Sequence, residues 1–146
     1  MKNALLFLRR WRDRLLKSPR PQPYPGDPAP PGIQNRAISI RQPYIEMILL
    51  GEKTIEYRSQ PTRIRGRVYL YASQTPGERE DFADLGIEPN ALPRGVLVGT
   101  VEVISCIGVP GDYEWHLANP QRLDPPLKPE NRAQPVWFRP FREPTT

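Results

Sequence analysis

Cysteine and histidine are almost missing: the 146-residue chain has one of each, Cys106 and His116. A single thiol excludes an internal disulfide, and the two residues together cannot furnish the three or four nitrogen and sulfur ligands of a structural zinc site. A serine-histidine triad would have to use His116, which reads better as a structural residue. No apolar run approaches the ~18 to 20 residues that cross a bilayer, so the chain is expected to be soluble or peripheral. Glycine is outnumbered by proline, ten to twenty, where an average composition would supply about seven prolines. Much of the chain is therefore barred from regular helix. The sequence holds no phosphate-binding glycine loop and no cluster of metal ligands, which leaves no case for a cofactor or a metal.

What is present is 38% hydrophobic and 25% charged residues, enough for one modest core and polar for a globular chain. The length predicts one domain with an extension rather than a multidomain enzyme. The net charge of +5 is unevenly placed, because residues 1–20 carry seven basic groups against Asp13 alone, whereas residues 21–146 carry 14 basic and 15 acidic groups. The pI of 9.7 belongs to the extension. A polyanion partner for the domain has to be argued from local clustering instead.

On a helical wheel, Leu5, Phe7, Leu8, Trp11, Leu15 and Leu16 fall on one half of residues 1–20, with Lys2, Arg9, Arg10, Arg14, Lys17 and Arg20 mostly opposite. This is a basic amphipathic pattern. Its apolar run is too short, and its basic residues too dispersed, for a secretory signal. It reads as an anchor lying on a membrane surface, as an auxiliary phosphate-binding arm, or as a dispensable extension. Residues 21–33 follow with proline at nearly every second position, which favours an extended spacer over a ligand for a proline-recognising module. The domain is expected over residues 34–146.

Within it, Arg36 to Arg41 alternates and reads as a strand, and Gln42-Pro43 opens a short helix through Leu50 that Gly51 terminates. Lys53 to Arg58 and Arg67 to Ala72 read as half-buried strands. Gly77 to Leu85 is a short helical candidate that docks Phe82. Gly95 to Cys106 is apolar on both faces and predicts a central strand. Asp112 predicts a capped turn of helix over Tyr113 to Leu117, and Val136 to Phe138 an edge strand. Five or six strands with two or three short helices, and no βαβ regularity, predict a small α+β barrel.

The densest polar cluster is GEKTIEYR, residues 51–58. In an extended strand Glu56 and Arg58 share a face and Lys53 does not, so the three meet only if the chain bends after Gly51. Otherwise Glu56 and Arg58 form a surface ion pair worth ~0 to 1 kcal/mol. Glu102, on the predicted central strand, needs a partner if buried, for which Arg41 and Arg58 are candidates.

Three blocks in order, ISIRQPYIEMILLGEKTIEYRS from Ile38, RGRVYLYAS at 65–73 and LVGTVEVISC at 97–106, resemble the ASCH domain family. Gly51, Lys53, Glu56 and Arg58 match its G-x-K-x-x-E-x-R element, and YEWHLANP at 113–120 and PVWF at 135–138 resemble its prokaryotic branch. The resemblance implies a small PUA-like mixed β-barrel with a cleft for single-stranded or modified RNA. On that footing Lys53, Arg58 and Arg41 are candidate phosphate ligands. Tyr44, Tyr57, Tyr71 and Trp115 are candidate stacking platforms, and Gln42, Ser73 and Glu56 complete the expected interface. Some members are similar to amidohydrolases that deacetylate acetylated cytidine with Lys, Thr and Glu, and some are reported as ribonucleases. Glu56 stands where the amidohydrolase pattern has its Thr nucleophile, and Thr54 faces away from Lys53 on a strand. Chemistry, if any, falls to Lys53 with Glu56 or Glu102 as acid and base. Binding is the preferred reading, a nucleotide-directed hydrolase the alternative, and a protein-interaction adaptor, resting on the tail and proline segment, the third.

Overall fold

The computed structural model describes residues 32–145. The amphipathic extension expected over 1–20, and all but the end of the linker expected over 21–33, lie outside the described residues. The domain is an α+β fold: β1 (Ala37–Ile40), α1 (Tyr44–Leu49), β2 (Ile55–Arg58), β3 (Gly66–Ala72), α2 (Arg79–Asp84), a turn of 3-10 helix at Pro89–Ala91, β4 (Val96–Val109), β5 (Asp112–Leu127) and β6 (Trp137–Phe138). One sheet takes all six strands in the order β2-β5-β4-β3-β1-β6. Its β1-β3 pair is parallel and the other pairs are antiparallel.

Alternation explains the short strands. Ile38 and Ile40 of β1 enter the main core with Val68 and Leu70 of β3. Ala37, pointing the other way, is buried with Tyr71, Leu97 and Phe138. Both faces of this part of the sheet are therefore covered, each fully buried aliphatic side chain contributing about 1.5–3 kcal/mol. Helix α1 begins after Pro43, buries Ile45 and Ile48, and stops at Gly51, whose φ of 78° is the left-handed conformation the sequence predicts there. Phe82 of α2 is fully buried, as its helical reading requires.

The sheet curls into a half-barrel. Trp115 on β5 and Trp137 on β6 are far apart in strand order, yet their rings stack 5.6 Å apart at 16°. β2 and β6 remain the two ends of the sheet, leaving a seam between β2 on one side and β1 with β6 on the other. Across it, Arg58 Nη2 of β2 donates to the Ser39 carbonyl of β1 at 2.8 Å.

One expected element is wrong. Tyr113 to Leu117 is not helix but the first part of β5, paired with β4 on one edge and β2 on the other. The physical cause is the preceding Pro110-Gly111 turn. Gly111 takes φ 90°, the geometry a Pro-Gly turn uses at its second residue, and it sends the chain straight back along β4. Pairing on both edges then overrides the local capping signal of Asp112.

Candidate nucleic-acid interface

The chain does bend after Gly51. Glu52 and Lys53 donate their backbone N–H groups to the Met47 carbonyl at 2.9 and 3.0 Å, which folds the segment back over the end of α1. That turn delivers Lys53 to the carboxylate two strand positions ahead of Arg58. Lys53 Nζ lies 3.1 Å from Glu56 Oε2 and donates to the Ile55 carbonyl at 2.5 Å. Arg58 Nε donates to the other carboxylate oxygen, Glu56 Oε1, at 3.2 Å. A cation, a carboxylate and a second cation thus form one row. Tyr57 extends it, its ring centroid 5.6 Å from Lys53 Nζ.

The row is graded in exposure, from Lys53 at 5% through Glu56 at 12% to Arg58 at 21%. Burial pulls the Lys53 ammonium below its ordinary value, Glu56 pulls it back up, and Arg58 pushes it down again. Burial is the largest of these effects, so the net direction is downward.

This row forms one wall of a cleft of about 820 Å³ that occupies the seam. Ser39, Ile40 and Arg41 from the end of β1, with Tyr44 of α1, form a second wall, and Tyr71, Ser73 and Gln74 a third. The fourth is a strap of residues 132–136. Arg41, Lys53, Arg58 and Arg132 set four cationic groups against Glu56 among the residues that line the cleft. Arg41 and Arg132 are exposed at the rim. Tyr44 is held from behind, its hydroxyl donating to Asp81 Oδ2 of α2. Burial, and then the nearby Asp84, raises the Asp81 carboxyl to about 6. Tyr71 packs edge-on against Phe138 and is only 6% exposed, so little of its ring faces the cleft.

Arg41, Tyr44, Lys53, Glu56, Tyr57, Arg58 and Ser73, expected from sequence, meet in this space, whereas three other expected residues do not. Trp115 is 1% exposed, stacked on Trp137 and bonded through Nε1–H to the Gln60 carbonyl; a ring in that position is core and offers no face to a base. Gln42 is fully buried, its amide donating to the Pro93 carbonyl and accepting from the Glu46 backbone. Glu102 sits opposite Arg67 in the β3-β4 register and pairs with Arg67 Nη2 at 3.1 Å and with Asn119 Nδ2 at 3.3 Å. It is thus neither a partner of Arg41 or Arg58 nor a neighbour of Lys53's cleft. His116 is buried in β5, 3.5 Å from Glu114 Oε1 and away from the lining. Sequence reasoning does not mark Arg132 and Gln134, takes Val136 only as the start of an edge strand, and leaves Asp81 as one residue of the Gly77 to Leu85 helical candidate.

Among the described residues no three His, Cys, Asp or Glu side chains gather as a metal site, and no helix is long and apolar enough to cross a membrane.

The ASCH domain family model matches residues 38–127, more than half of the chain. The chain belongs to the ASCH domain family. Among curated proteins, Activating signal cointegrator 1 of Homo sapiens is 30% identical over 81 residues, which cover 48% of this chain and 14% of that protein. The chain therefore spans only a small part of that relative's length. The matched span runs from β1 to the last residue of β5 and includes the Gly51, Lys53, Glu56, Arg58 element. The strap of residues 132–136 lies beyond it. The ASCH domain family is RNA-associated in general terms, and residues 53–58, which form the charged wall of the cleft, lie within the matched span.

Proposed function

We propose that this ASCH domain binds single-stranded or modified RNA in the seam cleft, as a cytoplasmic protein. The observation that carries the reading is a local excess of four cations over one carboxylate on a body, residues 21–146, whose 14 basic and 15 acidic groups nearly cancel. A field focused in one concavity of a near-neutral domain draws a polyanion toward it. Arg41 and Arg132 at the rim can take phosphates, while Tyr44 and Tyr57 offer ring faces on which a base stacks for about 1–3 kcal/mol. Fluorescence anisotropy of a short labelled single-stranded RNA tests this. Arg41→Ala, a change at an exposed site, should weaken binding about tenfold and lower the salt slope by about 0.7, the share of one phosphate contact on a single strand. Equal affinity and equal slope in the variant would refute it.

A hydrolase acting on RNA or on acetylated cytidine is the second reading, favoured by one observation, the buried Lys53 whose pKa is lowered beside a carboxylate. Both oxygens of Glu56 are already engaged by Lys53 and Arg58, which suits a clamp better than a proton shuttle. Incubation with acetylated cytidine and with RNA, followed by mass spectrometry, separates the readings: product formed by the wild type and lost in Lys53→Met establishes the hydrolase.

A further inference from the structure

The strap is built more firmly than a connecting loop requires. Its base is closed where the backbone N–H groups of Glu130 and Asn131 both donate to the Pro140 carbonyl, at 2.8 and 3.0 Å, and Asn131 Nδ2 donates to the Arg139 carbonyl at 2.9 Å. Its far side is tied to β1 through one residue. Ser39 Oγ donates to the Gln134 carbonyl at 2.6 Å and Ser39 N–H to the Val136 carbonyl at 2.9 Å, while the Ser39 carbonyl accepts Arg58 from across the seam. Ser39 is thus the point at which strap, β1 and the charged row meet.

These ties impose an unfavourable backbone. Val136 stands at φ 68°, a left-handed conformation that a β-branched residue adopts only when its surroundings over-determine it. Core packing does not account for it, because Val136 is 38% exposed and lines the cleft. A residue with a strained backbone, its side chain lining a cleft of about 820 Å³ in a segment outside the family-matched span, has the character of a selecting element. Arg132, exposed in the same strap, has no ion-pair partner among the described residues.

We infer that residues 132–136 are the specificity wall of the cleft, with Arg132 contacting a phosphate of the bound RNA and Val136 fixing the space offered to its base. The inference rests on the RNA reading above. It assigns discrimination between bases to the strap, which lies beyond the matched span, and affinity common to all bases to residues 53–58 within it.

Short single-stranded oligonucleotides of A, C, G and U, titrated against the full chain, test it. The wild type should prefer one base. Arg132→Ala should weaken all four by a similar factor, about tenfold, and lower the salt slope. Val136→Gly and Ser39→Ala should instead compress the ratio between best and worst base. Val136→Gly should also raise the melting temperature or leave it unchanged, since glycine accepts φ 68° without strain; a role confined to stability would not move the base ratio. A wild type that binds all four equally, or variants that keep its ratio, overturn the inference while leaving the RNA reading in place. A wild type that binds none of the four removes the RNA reading, and this inference with it.

Discussion

Asp81 shows how a residue outside the cleft sets the state of one inside it. Its carboxyl is 1% exposed, accepts the Tyr44 hydroxyl through Oδ2, has no hydrogen-bond partner at Oδ1, and lies near Asp84. The folded protein holds its pKa at about 6 against an ordinary 3.8. A carboxyl raised on folding binds its proton more readily in the native state, so stability rises as pH falls through about 6 and levels off below the unfolded value. Asp81→Asn removes this titration. Relative to the variant, the wild type should gain stability as pH falls from neutral to about 4, read from urea midpoints. A constant difference across that range would show that Asp81 is not held as described. Lys53, buried and lowered in pKa, has the opposite slope: the unfolded chain binds its proton more tightly, so its contribution improves as pH rises toward 10.5.

At the scale of elements, what could be read from sequence was what alternation and punctuation encode. β1 follows from its alternating apolar residues, β3 and β4 from β-rich runs buried on both faces, and α1 from Pro43 at its start and Gly51 at its end. The hairpin does not follow, because Asp112 with six residues before Asn119 carries the same local signal whether the next stretch is a helical turn or a strand. Only pairing with β4 and β2, a tertiary fact, decides it. The same limit applied to the site. Lys53, Glu56 and Arg58 were legible as a cluster within eight residues, although not their bend over the Met47 carbonyl. Glu102 pairs with neither candidate, Arg41 or Arg58, but with Arg67, its neighbour in a cross-strand register that sequence alone does not give. Arg132 and Val136 were illegible, since 95 residues separate Ser39 from the Gln134 it binds. The hairpin itself yields a prediction. Gly111 has φ 90° and open space around its Cα, so Gly111→Ala should cost about 1 to 2 kcal/mol through backbone conformation alone. A melting temperature equal to wild type would show that the turn tolerates another geometry.

For the whole molecule, the lengths of the strands are unequal in a way that fixes more than shape. β4 and β5 have 14 and 16 residues and are joined by two, while β1 and β6 have four and two and lie at opposite ends of the domain sequence. Closing the long hairpin restrains little chain, whereas bringing β6 to β1 closes a loop of most of the domain. Assembly is therefore expected to begin at the hairpin and to finish at the seam. Amide exchange should be slowest along β4 and its β5 partner and fastest in β6 and residues 132–136, and the reverse order would contradict this. The cleft is then the last part of the domain to be completed and the first to be undone, so partial unfolding would abolish the proposed recognition while most of the sheet survives.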